Sequence, residues 1–446
     1  MTGVETLMWR LAGHDPRFRA TMSLVVRVDG AVPLPGLVSR LGRLCDAVPR
    51  LRERVRESRV GAAPVWEPDP LFDVEHQVAT MDGPPWEMAS AVVALPFDEG
   101  RPPWRAVVAS SSPDTLILHL HHSYTDGLGG VQLLGELFDL SPAPPVGARR
   151  RRRPWWAPPT PAGPPPSVAD EISAEVRRAV ALWRRAVPWA ARTVAAASSD
   201  PSGLLERLVE VVGAVRAQAG AATGPASPLL AARSGGVALA PLHLDFGAMR
   251  ALARSRSVTV NDVFLAGLLD GLERYHSKHG SLVPSVRLAV PISHRGDGDV
   301  MRNQIFGTVL RAPLGRLDFD ERARLVHEMV VQGRRPPWAP FVDSVADAAA
   351  SLPGAPRALA AALGSLDVVA SNVAGPPVPM WLAGVPVTSM TPVGPRSGAA
   401  INVTLLSYCD QAALGVNLDP AAVADGDVLL DCLRAAYEEA LGGLGG

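Results

Sequence analysis

Lysine and net charge are the first things this sequence lacks. Its 446 residues contain 43 basic and 44 acidic side chains, a net charge of −1, and Lys278 is the single lysine. Without a net positive charge there is no global field to hold nucleic acid, so a nucleic-acid function is not expected. Cysteine is scarce too. Cys45, Cys409 and Cys432 are far apart and form no CxxC pair, which excludes a disulfide framework and a zinc ribbon.

Long apolar runs are also missing. The chain has no uninterrupted apolar stretch of about 18 residues, the length that a spanning helix needs. Its first residues, MTGVETLMWRLAGHDPRF, lack a basic region followed by an apolar core. We therefore expect neither a spanning helix nor a signal peptide. The expected location is the cytoplasm, where any membrane contact would be peripheral, on the inner face of the plasma membrane.

Two α/β blocks with a different segment between them make up the chain. Strand-like and helix-like stretches alternate over residues 1–140 and again over 237–446, whereas residues 141–167 hold ten prolines. We predict an N-terminal domain at 1–140, a Pro/Arg-rich linker with an amphipathic helical connection at 141–236, and a C-terminal domain at 237–446. Ser167 and Asp170 resemble a capping box that opens the connecting helix.

The helical periodicity of the N-terminal block is clearest after its first strand. Leu37, Leu41, Leu44 and Val48 form one apolar stripe, which predicts a helix over residues 36–55. Near the end of the same block, the spacing predicts a strand that finishes at about His122. A further helix is expected over residues 127–140.

The segment HLHHSYTDGLGG at 119–130 carries the chemistry. Alternation along the strand places His122 on one face and His119 and His121 on the other. An imidazole has an ordinary pKa of about 6.5, so His122 can take a proton from an attacking hydroxyl and return it to a leaving group. Asp126 would orient the site, either toward His122 or by pairing with an arginine elsewhere.

The same segment lacks the marks of covalent catalysis and of a metal site. There is no GxSxG nucleophile elbow and no cysteine beside the histidines, so direct attack by a substrate hydroxyl is expected. His119 and His121 share a strand face but have no third ligand nearby, and we predict no metal. Gly127 permits a backbone geometry in the turn that a side chain would hinder.

The residues His121-His122-Ser123-Tyr124-Thr125-Asp126-Gly127 match the pattern HHxxxDG. The chain resembles the bacterial wax ester synthase/diacylglycerol acyltransferase family of the CoA-dependent acyltransferase superfamily. Peptide-synthetase condensation domains share the motif. Other segments resemble the family in the expected order, namely Met8-Trp9, PPW at 102–104, VTVNDVFLA at 258–266, VPISHR at 290–295, SNVAGP at 371–376 and INVTLLSY at 401–408. Pro103 and Ala374 depart from the leucine and proline that are usual there.

The resemblance implies an α/β (α+β) fold of two chloramphenicol-acetyltransferase-like domains, with mixed sheets and an interdomain tunnel. It implies an O-acyltransferase that moves a fatty acyl group from acyl-CoA to diacylglycerol or a long-chain alcohol, giving triacylglycerol or wax ester. Acyl-CoA would be a co-substrate, with no cofactor. His122 would be the general base and Asp126 mainly structural, with His121 and Gly127 supporting the motif. The residues expected near the tunnel are Asn261, Asp262, Ser371 and Asn372.

Several alternatives stay open at this point. Asn261 and Asp262 are explained equally well as a helix cap, and Ser371 and Asn372 as a tight turn. The enzyme could instead be a condensation-type acyltransferase using a carrier-protein thioester, or the chain could be a non-catalytic lipid-binding relative. The run Arg149 to Arg153 is either a solvated linker or a site of attraction to anionic lipid on a membrane or lipid droplet.

Overall fold

The computed structural model describes residues 1–58, 63–111, 113–124, 135–142, 167–173, 176–177, 180, 227–293, 305–333, 360 and 366–442. Within these ranges, two six-stranded sheets and one two-stranded sheet form the framework. Both large sheets contain parallel and antiparallel pairs. The mixed α/β class that the sequence predicts is therefore confirmed. No described helix is long and apolar enough to cross a membrane.

The first sheet carries the end of the histidine motif on an inner strand. Its order is β11-β12-β1-β6-β5-β4. The strands are β1 (Thr21–Val28), β4 (Val78–Asp82), β5 (Trp104–Ser110), β6 (Thr115–His121), β11 (Trp381–Leu382) and β12 (Val385–Val393). Strands β2 (Glu53–Arg56) and β3 (Val65–Pro68) form the small separate sheet. Because β6 pairs on both sides, the residues at its end are held by two neighbours.

The second sheet has the order β7-β14-β13-β10-β8-β9. Its strands are β7 (Ala238–Asp245), β8 (Ser285–Ser293), β9 (Ile305–Pro313), β10 (Val368–Val373), β13 (Ile401–Tyr408) and β14 (Gln411–Leu418). Strand β10 runs parallel to both β13 and β8, whereas the other pairs are antiparallel.

Seven helices with fully described bounds cover these sheets: α1 (Gly3–His14), α2 (Leu34–Ala47), α3 (Pro85–Ala94), α4 (Phe246–Ser255), α5 (Val260–Lys278), α6 (Phe319–Gly333) and α7 (Gly426–Gly442). Helix α2 buries Leu37, Leu41 and Leu44 against one face of the first sheet, and α3 packs on the other face. Helix α5, which has 12 buried residues out of 19, lies in the core of the second sheet.

The chain crosses over between the two sheets. Strands β11 and β12 come from the predicted C-terminal block, yet β12 pairs with β1 of the N-terminal block. The sheets also meet closely where β12 passes β14, since an added Cβ on Gly415 would lie 1.6 Å from the carbonyl oxygen of Pro392. The N-terminal and C-terminal blocks thus share one sheet, and a domain boundary drawn by sequence position does not show this.

One predicted helix is too long. The structure ends α2 at Ala47, and residues 49–52 form a 3₁₀ turn before β2. Pro49 explains the difference, because the residue before a proline is pushed out of helical geometry and Val48 adopts a non-helical backbone. The predicted helix over 127–140 lies mostly outside the described residues, as do Arg149 to Arg153.

Candidate active site

The histidine turn, residues 121–124, follows β6 directly. Backbone hydrogen bonds hold it from both ends, since the His122 N–H donates to the Ala20 carbonyl at 2.6 Å and the Tyr124 N–H to the His121 carbonyl at 3.1 Å. The Tyr124 hydroxyl donates to the Glu53 carbonyl at 3.1 Å. His122 is 8% exposed. The backbone that carries this imidazole is therefore fixed by the sheet and by β2.

The His121 side chain makes polar contacts within this turn. Its Nδ1 accepts the Ser123 backbone N–H at 3.2 Å and lies 2.8 Å from the Ser123 hydroxyl. A backbone N–H can only donate, so Nδ1 carries no proton and the ring is neutral with its hydrogen on Nε2. Burial, with the charge of His122 as a lesser cause, lowers the pKa of His121 to about 3. His121 therefore supports the turn rather than transferring protons at neutral pH.

His119 is engaged separately. Its Nδ1 lies 2.7 Å from the Ser23 hydroxyl, and its ring stacks on Phe97 with centroids 4.9 Å apart. Burial, helped by the nearby charge of Arg105, lowers the pKa of His119 to about 3. Each of the two same-face histidines thus has its own serine partner. Among the residues that the structure describes, no three His, Cys, Asp or Glu side chains are grouped to hold a metal ion.

The remaining motif residues, Asp126 and Gly127, lie outside the described residues. The choice between His122 and an arginine as the partner of Asp126 therefore stays open, and its catalytic role remains a prediction.

A second polar group gathers at the start of α5, and we call it the amide cluster: Asn261, Asp262, His327 and Asn372. The Asn372 amide donates to Asn261 Oδ1 at 3.4 Å. Asp262 completes a capping box with Thr259 and is 1% exposed. Asp262 Oδ2 also lies 2.8 Å from His327 Nδ1. The capping prediction is confirmed, and three predicted residues are brought together.

His327 is the member of the amide cluster that the sequence analysis missed. It lies on α6, 65 positions after Asp262. No local motif marks it, because its partner becomes a neighbour only when α6 packs on α5. A histidine on an otherwise ordinary amphipathic helix gives no sequence signal for such a contact.

Ser371 is separated from the other three predicted residues. Adjacent residues of a strand point to opposite faces, so Ser371 and Asn372 face away from each other in β10. Ser371 pairs with Thr404 in β13, on the sheet face that also bears Asn402. The alternative of a tight turn at Ser371 and Asn372 is wrong, because parallel pairing with β13 places both residues in the sheet.

That face of the second sheet lies against the end of β12. Asn417, opposite Asn402 in the ladder, donates its amide to the Gly394 carbonyl at 3.0 Å. Gly394 leaves no room for a side chain, since an added Cβ would sit 2.6 Å from Thr404 Oγ1. Gly394 directly follows Val393, which pairs with Ser23 of β1, the strand next to β6. The Ser371 face is thereby linked to the sheet that carries His122.

Two linked mixed sheets, with a histidine pair at the end of an inner strand, are the arrangement that the sequence resemblance leads us to expect of an acyltransferase. The chain belongs to the wax ester synthase/diacylglycerol acyltransferase family. The model of the family's catalytic domain matches residues 1–264, and the model of its C-terminal domain matches residues 302–440.

Relatives over the full length agree with this membership. A Mycobacterium tuberculosis (strain H37Rv) protein named after diacylglycerol O-acyltransferase activity is 29% identical over 458 aligned positions, which cover 99% of this chain and 92% of the relative. A second protein of that strain, named after the same activity, is 26% identical over 432 positions, covering 89% and 86%.

Solved structures show the same fold. The wax ester synthase/diacylglycerol acyltransferase of Marinobacter aquaeolei VT8 superposes with a TM-score of 0.60 at 19% identity, over 95% of both chains. The first condensation domain of the calcium-dependent antibiotic synthetase gives a TM-score of 0.59 at 16% identity, over 99% of this chain and 96% of that one. Fold likeness alone therefore does not separate these two activities, whereas the family models do.

Proposed function

We propose that the protein transfers a fatty acyl group from acyl-CoA to diacylglycerol or a long-chain alcohol, giving triacylglycerol or a wax ester. The observation that carries the proposal is the sequence HHSYTDG, whose first histidine ends an inner strand, in a chain of this family. His122 is the general base. The rigid β6 strand and the hydrogen bond to Ala20 hold its backbone, as general-base chemistry requires.

The reaction proceeds by direct attack. The His122 imidazole removes the proton of the acceptor hydroxyl as its oxygen bonds to the thioester carbonyl carbon. The resulting tetrahedral intermediate collapses, its carbon–sulfur bond breaks, and the protonated His122 returns the proton to the departing CoA thiolate. The products are the ester and CoA thiol, and His122 is neutral again.

The buried cysteine in the core of the first sheet is a poor nucleophile. Cys45 packs in the same apolar cluster as Tyr124, and burial raises the pKa of its thiol to about 12. A thiol of that pKa is protonated at neutral pH, and the thiolate is the nucleophilic form. This supports direct attack by the acceptor rather than an acyl-cysteine intermediate.

The test is CoA-thiol release from palmitoyl-CoA with hexadecanol or dioleoylglycerol as acceptor. We expect acceptor-dependent release, and His122→Ala should lower kcat about 10²–10⁴-fold, the usual contribution of a general base. His76→Ala is the matched control, because His76 is exposed and belongs to the same block. It should leave turnover unchanged, and the better acceptor identifies the product class.

Other results would overturn the proposal in distinct ways. Near-normal turnover in His122→Ala would exclude His122 as the base. Turnover with a carrier-bound acyl group, but not with acyl-CoA, would favour a condensation-type acyltransferase. Binding of acyl-CoA without ester formation from any acceptor would indicate a lipid-binding relative.

We also propose peripheral contact with an anionic lipid surface through the connecting helix. Ser167 and Asp170 cap its start with hydrogen bonds of 2.9 and 3.2 Å, as predicted. Its described part exposes apolar side chains four residues apart, each between 43% and 56% exposed: Val168, Ile172, Val176 and Val180. Such a stripe, close in sequence to an arginine run, is typical of interfacial helices.

Vesicle sedimentation tests this contact. The protein should bind vesicles with phosphatidylglycerol more than vesicles of phosphatidylcholine, and Ile172→Ser with Val176→Ser should reduce that binding. Exposed Leu71→Ser is the control, since this side chain is exposed in another part of the chain. Equal sedimentation of all variants would instead favour a solvated linker.

A further inference from the structure

The Nε2 atom of His121 has no described hydrogen-bond partner. The Ser123 N–H places the ring hydrogen on this nitrogen, so Nε2 is a donor. The atom is buried, and no hydrogen-bond acceptor among the described residues meets it. Burying an N–H donor away from water costs free energy unless another group interacts with it. Among the residues that the structure describes, an aromatic ring rather than an oxygen lies against His121.

Trp9 is the aromatic ring that meets His121. Their centroids are 5.0 Å apart and their planes meet at 63°, an edge-to-face arrangement. Edge-to-face pairs direct the positive edge of one ring to the electron-rich face of another, and an N–H can be that edge. The contact is thus of the kind that can accommodate an N–H donor without an oxygen partner.

The indole of Trp9 is itself held. Its Nε1 donates to Glu57 Oε1 at 2.7 Å, just beyond the end of β2. Helix α1, which carries Trp9, starts with a complete capping box between Thr2 and Glu5. The indole is therefore fixed at one end by a carboxylate and at the other by a capped helix.

We propose that Trp9, oriented by Glu57, is a positioning residue for His122. The indole face receives the Nε2–H of His121, which keeps the ring of His121 against Ser123 and so fixes the backbone between them, where His122 lies. This inference rests on the proposed role of His122. A loosened turn displaces the base, and misplacement by about 1 Å can cost up to about 10²-fold in rate.

The substitutions separate the ring face from the indole hydrogen bond. Trp9→Leu removes the aromatic face, and we expect kcat to fall about 10-fold while KM for acyl-CoA stays within about two-fold. Trp9→Phe keeps a face and should retain most of the rate. Glu57→Gln keeps an acceptor for Nε1 and should stay near wild type, whereas Glu57→Ala should fall between wild type and Trp9→Leu.

Two controls guard against a general effect on folding. Trp86→Leu makes the same change on α3, where Trp86 packs against the apolar cluster that includes Val92 and Ile117, and kcat should not change. The decisive measurement is a double-mutant cycle: in the His122→Ala background, Trp9→Leu should have no further effect, because the base that it positions is gone. In the single variant Trp9→Leu, the pH profile of kcat/KM should also shift.

The outcomes distinguish this inference from the function on which it rests. If His122→Ala turns over normally, the general-base proposal fails first. If His122→Ala is inactive but Trp9→Leu keeps the wild-type kcat, only the positioning role is overturned. An equal loss in Trp9→Phe and Trp9→Leu, or an additive loss in the His122→Ala background, also overturns it.

Discussion

The histidine turn and the amide cluster are built in opposite ways. The turn uses consecutive residues that begin at the end of β6, and the two buried histidines of that strand, His119 and His121, are neutral. The amide cluster uses residues from α5, α6 and β10, and its buried member, Asp262, is a carboxylate that accepts from the Thr259 N–H and contacts His327.

The difference shows how each region tolerates change. The histidine turn adjoins a strand that is paired on both sides, so its attachment to the sheet survives as long as the sheets stay together, while its finer geometry depends on the contacts of His121 with Ser123 and Trp9. The amide cluster depends on side-chain contacts between separate elements, so one substitution can release a helix end. We therefore expect the junction of the sheets to matter most for folding, and the amide cluster less.

The largest effect is expected at the junction between the two sheets. Gly415→Ala would place a Cβ 1.6 Å from the Pro392 carbonyl oxygen, a backbone atom that cannot rotate away. The free energy of unfolding should fall by more than about 3 kcal/mol, measured by urea denaturation. Gly42→Ala is the control, because nothing lies within 4 Å of its added Cβ in helix α2. It should gain about 0.5–1 kcal/mol, and a mild effect of Gly415→Ala would contradict the close approach.

The next largest loss of unfolding free energy is expected at low pH, through the buried histidines His119 and His121. The unfolded chain binds protons at His119 and His121 below about pH 6.5, whereas the folded chain binds them only near pH 3. Their contribution is complete above pH 6.5 and declines as the pH falls, by about 3 kcal/mol between pH 6.5 and 5 for the pair. Urea midpoints measured across this range should show the loss. His119→Gln should roughly halve the slope of the unfolding free energy against pH, whereas the exposed His76→Gln should leave that slope unchanged. An unchanged slope in His119→Gln would contradict burial of the neutral His119 ring.

Removing the Asp262 carboxylate from the amide cluster should cause a smaller loss of unfolding free energy. Asp262→Ala removes the acceptor for the Thr259 N–H and the contact to His327, and should cost about 2 kcal/mol of unfolding free energy. His327→Ala removes one contact of a half-exposed side chain and should cost about 0.5–1 kcal/mol. The thermal midpoints of both variants measure this order. A larger loss in His327→Ala than in Asp262→Ala would show that the helix cap is not the main contribution.

The smallest effect belongs to the amide pair. The hydrogen bond between Asn372 and Asn261 is long, at 3.4 Å, and exposed. A double-mutant cycle with alanine at both positions should give a coupling energy below about 0.5 kcal/mol in stability. A coupling above 1 kcal/mol would indicate that these amides hold α5 and β10 together.

Much of the fold could be predicted because its signals are local. The strand that ends near His122, the helix cap at Asp262 and the capping box of Ser167 with Asp170 all follow from neighbouring residues, and the structure confirms them. The helix over 36–55 was overextended because the apolar stripe continues past Pro49, where the backbone cannot remain helical. Periodicity describes a face and does not by itself mark its end.

The candidate site could be predicted only in part for the same reason. His121 and His122 are neighbours in sequence, and a strand end places them. His327 has no local signal in the sequence, because its contact with Asp262 depends on how α6 packs on α5. Trp9 belongs to the opening segment that resembles the family, but its contact with His121 depends on how α1 packs.

The sequence by itself determined the chemistry of the histidine turn, the family and the strand and helix types, since each rests on residues close together along the chain. Only the tertiary structure decided that β12 completes the N-terminal sheet, that Asp262 meets His327, and that His121 is held between Ser123 and Trp9. The reason is physical. Hydrogen-bond ladders and ring contacts join atoms that are near in space, and nearness in space is set by packing of elements far apart in sequence.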